Sequence, residues 1–347
     1  MLLVFELLAV LAVVVAAGAT YQAIGSALDR RRHLAPGRMV SIGTHRLHVV
    51  SAGSGVPTVV FEAALGASSI SWALVQPRIA ELTGTCAYDR AGMGFSELGP
   101  EPRTAQRIVE EMHAVLEAAE VPKPYLLVGH SYGGMTCRLF AAQYPTEVAG
   151  LVLLDPADPH SWSAPSELQR RKIRAGALLA RQGALVARLG IARATAVLVR
   201  LGAHRAARAT AVAMSGGLLA GNTDRLIAPI DRVPAELRPV AAGFWIQPRF
   251  YQSLASQIRF MPESASQVAA TSIPRKLPLT VLSAASLPAA EMEQNKLLAS
   301  KSAHGRHMVV PGSGHWIQLD QPEIVIRAIT EMIGKICQDY CSYHPQK

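Results

Sequence analysis

Few backbone paths accommodate Gly129-His130-Ser131-Tyr132-Gly133 where this chain puts it. The apolar run Tyr125-Leu126-Leu127-Val128 before it reads as a strand. The segment from Gly133 to Tyr144 reads as a helix that stops before Pro145. A strand that turns straight into a helix needs small residues on both sides of the bend, because neighbouring backbone packs closely there. The apex side chain then stands at a helix N-terminus, where free N–H groups and the helix dipole favour negative charge. A serine in that place has the setting of an activated nucleophile, which a glycine-flanked serine in an ordinary loop lacks.

The rest of the chain alternates strand-like and helical runs, the pattern of a mostly parallel sheet covered by helices. Strands are expected at 46–50, 58–62, 85–88, 124–129, 150–154, 279–283 and 307–310, with helices at 72–82, 104–120, 133–144 and 322–336. Between 157 and 272 the strands stop, and helical stretches alternate with proline-bearing turns. The simplest organisation is an α/β core at 41–156 and 273–340, interrupted by a mainly helical cap at 157–272.

Three blocks follow one another in a telling order: Tyr88-Asp89-Arg90-Ala91-Gly92-Met93-Gly94-Phe95-Ser96, then Gly129-His130-Ser131-Tyr132-Gly133-Gly134, then Gly312-Ser313-Gly314-His315. Over roughly residues 40–337 the chain resembles the α/β-hydrolase fold superfamily, in the form of a serine hydrolase with an inserted cap. The resemblance implies a mostly parallel central sheet flanked by helices and hydrolysis without cofactor or metal. Ser131 is the implied nucleophile. His315, in a loop after the last strand, is the implied general base. His130 is read as supporting the bend, and His304 and His307 as structural.

The acid departs from the family pattern. After the seventh strand, Leu279–Ser283, the first carboxylates are Glu291 and Glu293, which open a helix and suit its dipole. Asp155, at the end of the sixth strand beside Pro156, is preferred, since some relatives place the acid there. Glu291, or a dyad without a close acid, is the alternative, and Asp158 and Asp320 are outsiders. The oxyanion hole is expected from the backbone N–H groups of Tyr132 and Leu65, although Ala63-Ala64 replaces the commoner His-Gly. Glu62 is expected to be a strand-end group satisfied by loop N–H groups. Asp89 and Arg90 are expected to pin the loop that follows the fourth strand.

Residues 2–25 are mostly apolar with Glu6 as their one charged side chain, and about twenty apolar residues span a hydrocarbon core of roughly 30 Å. Ala17-Gly18-Ala19 resembles a signal-peptide cleavage site, but no Lys or Arg precedes the run, and Arg30-Arg31-Arg32 follows it. An uncleaved single-pass anchor at 1–25 is therefore preferred, with a linker at 26–40 and the domain on the cytoplasmic side. From Glu167 to Arg208 ten basic residues accompany one acid, Glu167. That stretch reads either as a solvated lid face or as a surface resting on an anionic leaflet. Trp245, Phe250 and Tyr251 either line an apolar pocket or pack the lid.

The net charge of +9 raises the question of nucleic acid, but only 5% of the chain is aromatic, and basic and aromatic residues do not interleave. Stacking-based recognition of single strands is not expected on that ground, and no nucleic-acid partner is expected. The four cysteines have no CxxC or metal-ligand spacing, and Cys86 and Cys137 fall in core elements as reduced thiols. The expected function is hydrolysis of a small lipophilic ester or related acyl compound through an acyl-enzyme, held at membrane lipid by residues 2–25, with the basic cap as a second contact. Carbon–carbon bond hydrolases and peptidases share the serine bend. A non-catalytic, membrane-tethered binding protein on the same fold is the reading from a different class.

Overall fold

Strands with helices on both faces must be apolar along their whole length. β3 (Thr58–Glu62), β4 (Thr85–Tyr88), β5 (Tyr125–His130) and β7 (Leu279–Ala284) are buried at every position. The computed structural model describes residues 1–32, 35–200 and 230–343. With β1 (Arg38–Ser41), β2 (Arg46–Ala52), β6 (Val148–Leu154) and β8 (Gly305–Val310), these strands form one sheet in the order β1-β2-β4-β3-β5-β6-β7-β8. β1 pairs antiparallel with β2, and β2 antiparallel with β4; every other pairing is parallel.

Helices α2 (Gln76–Ala80), α3 (Ala105–Ala118) and α4 (Tyr132–Gln143) belong to the first half of the core, and α11 (Ala289–Ser300), α12 (Ile317–Asp320) and α13 (Pro322–Tyr343) to the second. Successive strand residues point to opposite faces, so the sheet divides two apolar clusters. Leu127 and Leu151 pack with Ile108, Met112 and Phe140 on one side, while Val128 and Val152 pack with Ile79 and Ile329 on the other. Cys86 and Cys137 are buried free thiols.

The insertion is helical where it is described: α5 (Pro159–Ser163), α6 (Glu167–Arg188), α7 (Ile191–Arg200), α8 (Arg238–Phe244), α9 (Pro248–Arg259) and α10 (Met261–Ala269). Gly202, Arg205 and Arg208, part of the basic stretch, lie outside the described residues. α10 sinks Met261, Ala265 and Val268 into the core beside α3 and α4. There the Ser264 hydroxyl accepts from the Ala105 N–H at 2.9 Å and from the Tyr132 hydroxyl at 3.2 Å. The last helix assigned to the cap thus packs as part of the core.

α1 (Leu2–Arg32) is one continuous helix, long and apolar enough to cross a membrane. It therefore runs seven residues past the expected end of the anchor, into the expected linker. Its last third is gripped by the cap: Gln22 Nε2 donates to the Ile246 carbonyl at 2.9 Å, and Ser26 Oγ to Gln247 Oε1 at 3.2 Å. Arg193 of α7 donates to Gln22 Oε1 and pairs with Asp29 at 2.7 Å. A side chain at Gly18 would meet the Leu189 carbonyl oxygen at 2.3 Å, so only glycine allows this approach.

One buried pair ties the site-bearing end of the sheet together. Asp89, after β4, accepts from His48 Nδ1 at 2.8 Å and from the N–H groups of Ser69 at 2.6 Å and Phe95 at 3.0 Å. Burial pushes the Asp89 carboxyl up, but these donors outweigh it and hold it below its usual range. Burial likewise pushes the His48 imidazole down, yet Asp89 and the Pro36 carbonyl, facing its two nitrogens, leave it above its usual value. The His48 contribution is complete below the unfolded value near 6.5 and is lost as pH rises through the folded value; the Asp89 contribution is lost only as pH falls through its depressed one. In thermal melts the wild type should exceed His48→Gln by the widest margin near pH 6, and the margin should shrink as pH climbs past the folded His48 value. A margin that widened with pH would contradict this assignment.

Candidate active site

Ser131 sits at φ 54°, ψ −116°, outside the regions that L-residues ordinarily occupy. The surroundings impose this geometry. Its N–H donates to the Leu154 carbonyl at 2.9 Å, and its carbonyl accepts from Gly134 at 2.9 Å and Ala157 at 3.1 Å. A β-carbon at Gly133 would lie 2.4 Å from the Glu62 carbonyl oxygen, and one at Gly129 would lie 2.6 Å from that of Gly133. The Ser131 side chain does not cap α4, and the residue is partly exposed.

His315 and Asp155 are brought together across 160 residues of sequence, with His315 Nδ1 at 2.8 Å from Asp155 Oδ2. Asp155 has a left-handed backbone, φ 43°, its N–H bonded to the Leu282 carbonyl at 2.7 Å. Its other carboxylate oxygen accepts from the Ala284 N–H at 3.2 Å. Asp155 is placed to accept a hydrogen bond from Nδ1–H, an arrangement that in the neutral imidazole leaves the lone pair on Nε2. Glu291 stands half-buried in the first turn of α11, while the ring nitrogen it was weighed for is engaged by Asp155.

His130 holds the histidine loop against the bend. Gln318 Nε2 donates to His130 Nδ1 at 3.1 Å, so His130 Nε2 carries the proton and donates to the His315 carbonyl at 2.8 Å. Burial, then the neighbouring His315, pushes the His130 pKa well below its ordinary value, which keeps the ring neutral. Asp320 Oδ2 accepts from the Gly314 N–H at 2.6 Å, and its other oxygen pairs with Arg232 of the cap. Gln318 was not considered on sequence and Asp320 was set aside. Their only signal is that they follow His315 by three and five residues on one short helix.

The loop after β3 differs from expectation in how it is held. Glu62 Oε1 is held not by loop N–H groups but by Arg90 Nη1 at 2.7 Å and by the Thr136 hydroxyl at 3.2 Å, all three residues buried, while Oε2 is buried without a hydrogen-bond partner. Arg90 also donates to the carbonyls of Ala63, at 2.7 Å, and Ala64. It thus pins the loop after β3 as well as lying in the one after β4. Because a trans peptide sets its N–H opposite its C=O, tying down the Ala64 carbonyl turns the Leu65 N–H away from Arg90. Tyr132 opens α4 with its ring under the Arg90 guanidinium, 5.4 Å from ring centre.

Beyond the loop, Ala63, Ala64, Ala67 and Ile70 pack with Val233 and Phe244 of the cap and with Trp316 and Leu319. Phe250 and Leu254 close over Gly66, while Tyr251 packs on α6 at Gly183. The wall of the site is apolar and is shared by core and cap.

Replacing Glu62 by Gln leaves the Arg90 guanidinium without its counter-charge and is expected to cost about 3–5 kcal/mol in urea melts. The double change Glu62→Gln, Arg90→Met should recover part of that loss. A double variant less stable than Glu62→Gln alone would refute the pairing as the source.

A family model described as alpha/beta hydrolase fold matches residues 57–322. The uncharacterized protein YqjL of Bacillus subtilis is 44% identical over 105 residues, 30% of this chain and 42% of that one. The chain spans less than half the length of the curated relatives it matches in this way. Among solved structures, a thermophilic esterase from Thermogutta terrifontis superposes with TM-score 0.60 at 18% identity, covering 86% of this chain and 98% of that one. The epoxide hydrolase CorEH gives TM-score 0.61 at 17% identity, covering 86% and 98%. At such identities the superpositions speak for the fold, and together with the family match over most of the described core they establish that the chain belongs to the α/β-hydrolase fold family.

Proposed function

We propose that this protein hydrolyses a small lipophilic ester, or a related acyl compound, through an acyl-enzyme on Ser131. The Asp155–His315 contact of 2.8 Å carries the reading, because it fixes the one tautomer in which His315 Nε2 can take a proton. His315 accepts the Ser131 hydroxyl proton as Oγ attacks the acyl carbon, then gives it to the departing alcohol. Water, deprotonated by the same ring, releases the acid and restores the serine. The N–H groups of Tyr132 and Leu65 receive the negative charge that develops on the carbonyl oxygen. Each step is balanced by these groups, and no cofactor enters.

The apolar wall shared by core and cap supports a lipophilic substrate. The apolar helix α1 supports a membrane-held protein, and Arg30-Arg31-Arg32 at its end supports a cytoplasmic catalytic domain. On α6, Leu168, Leu178 and Leu185 are exposed on the same helix as exposed Arg171 and Arg174, which supports a second lipid contact through the cap.

A fluorophosphonate probe should label the wild type, and Ser131→Ala should abolish labelling. On p-nitrophenyl esters, Asp155→Asn should lower kcat by about 10⁴, the scale of a lost tautomer, while Glu291→Gln should stay within about twofold. Loss of turnover in Glu291→Gln alone would move the acid to Glu291, and a folded wild type that resists the probe would favour the binding-protein reading. Sodium carbonate washing should leave the full chain in the membrane pellet, and its release would count against the anchor.

A further inference from the structure

Arg138 has no part in the chemistry above, yet it is placed expensively. It lies on α4, two turns beyond Ser131, and is only 5% exposed. Its Nε is buried without a hydrogen-bond partner, and among the described residues its guanidinium makes no ion pair. Asp158 acts on it only through space, because that carboxylate is committed to the start of α5, where it accepts from the N–H groups of His160 and Ser161 and from the Ser161 hydroxyl. Burial lowers the Arg138 pKa to about 10. Removing a cation from water without a partner costs several kcal/mol, and arginine is the side chain whose planar fork suits a carboxylate or phosphate.

Arg138 lines a cavity of about 200 Å³ between α4, the segment joining β6 to α5, and α11. That volume is about seven times the share of one water in the liquid. Its lining is mixed. Arg138 and the exposed Lys301 at the end of α11 are joined by the Asp158 carboxylate, by His160 and by the amides of Gln294 and Asn295, so two fixed cations face one carboxylate, while Pro156, Ala157, Leu297 and Leu298 supply apolar surface. A cationic group with room beside it and a short apolar flank matches an anion that carries a small hydrocarbon chain.

From this geometry we infer a second binding site, centred on Arg138 and Lys301, for a short-chain carboxylate. Its carboxylate lies in the Arg138 fork, and its chain lies against Pro156, Ala157 and Leu298. The site is distinct from the Ser131 centre but shares a wall with it. Ala157 donates its N–H to the Ser131 carbonyl at 3.1 Å, a β-carbon at Gly134 would touch Pro156 at 2.8 Å, and Pro156 directly follows Asp155. An occupant therefore presses on the segment that carries the proposed acid, so a carboxylate produced by hydrolysis would be sensed beside the centre that made it. That last consequence rests on the hydrolase reading, whereas the binding site does not.

The test is calorimetric titration of the full-length Ser131→Ala protein in maltoside detergent, which measures binding whether or not Ser131 is a nucleophile. Hexanoate should bind saturably with one site per chain, acetate more weakly, and 1-hexanol not at all. Arg138→Met should weaken hexanoate at least tenfold. Lys301→Glu, a surface change that leaves the fold intact, should weaken it by a similar factor and decides the matter if Arg138→Met does not fold. Hexanoate affinity unchanged in a folded Arg138→Met or in Lys301→Glu would overturn the proposal, as would absence of saturable binding. Inorganic phosphate binding more tightly than hexanoate, and lost in the same variants, would overturn the carboxylate assignment.

Discussion

The bend at Ser131 holds its shape because backbone, not side chains, fills the space around it. Gly133 brings α4 against the end of β3, Leu154 and Ala157 bond the apex from the β6 side, and no side chain larger than hydrogen fits at 129 or 133. The contacts set the relative positions of the three strand ends from which Ser131, Asp155 and the loop after β3 emerge. The strained backbone of Ser131 is the local consequence of satisfying all of them together. A parallel sheet delivers its loops to one edge, which is why residues as far apart as 62, 131, 155 and 315 share one site.

Buried charge does the second part of the work. Asp89 with His48, and Glu62 with Arg90, are each sealed from solvent, and each spreads its hydrogen bonds over more than one loop. Such pairs add little net stability compared with apolar packing, but they are directional, and a loop tied by a carboxylate or guanidinium has one orientation available. Asp89 orders the chain after β4 and the start of the turn at Ser69. Arg90 orders the carbonyls of Ala63 and Ala64, and through peptide planarity the N–H groups that follow them.

The strands at 58–62 and 85–88 lie at the residues expected of them, because short apolar runs bounded by turn residues admit little else. The bend was legible for the same reason, while the contact of His315 with Asp155 was legible only as one of two choices beside Glu291. β1 was not legible: Arg38-Met39-Val40-Ser41 has no pattern of its own and becomes a strand by pairing with β2. The partner of Glu62 lies 28 residues away and is set by tertiary placement, which local sequence does not encode. Residues 26–32, expected within the linker, continue α1. Their helix is held by Arg193, whose role depends on the cap lying beside it.

The grip of the cap on α1 has a geometric consequence. From Gly18 to Asp29 the helix is bolted to the cap along about three turns, through Gly18 against Leu189, Gln22 on Ile246 and Asp29 on Arg193. The residues of α1 that precede Gly18 are thereby aimed by the cap and not joined to it by a flexible tether. An outward swing of α7 must either break the Arg193–Asp29 link or carry α1 with it, so helix and lid turn as one lever.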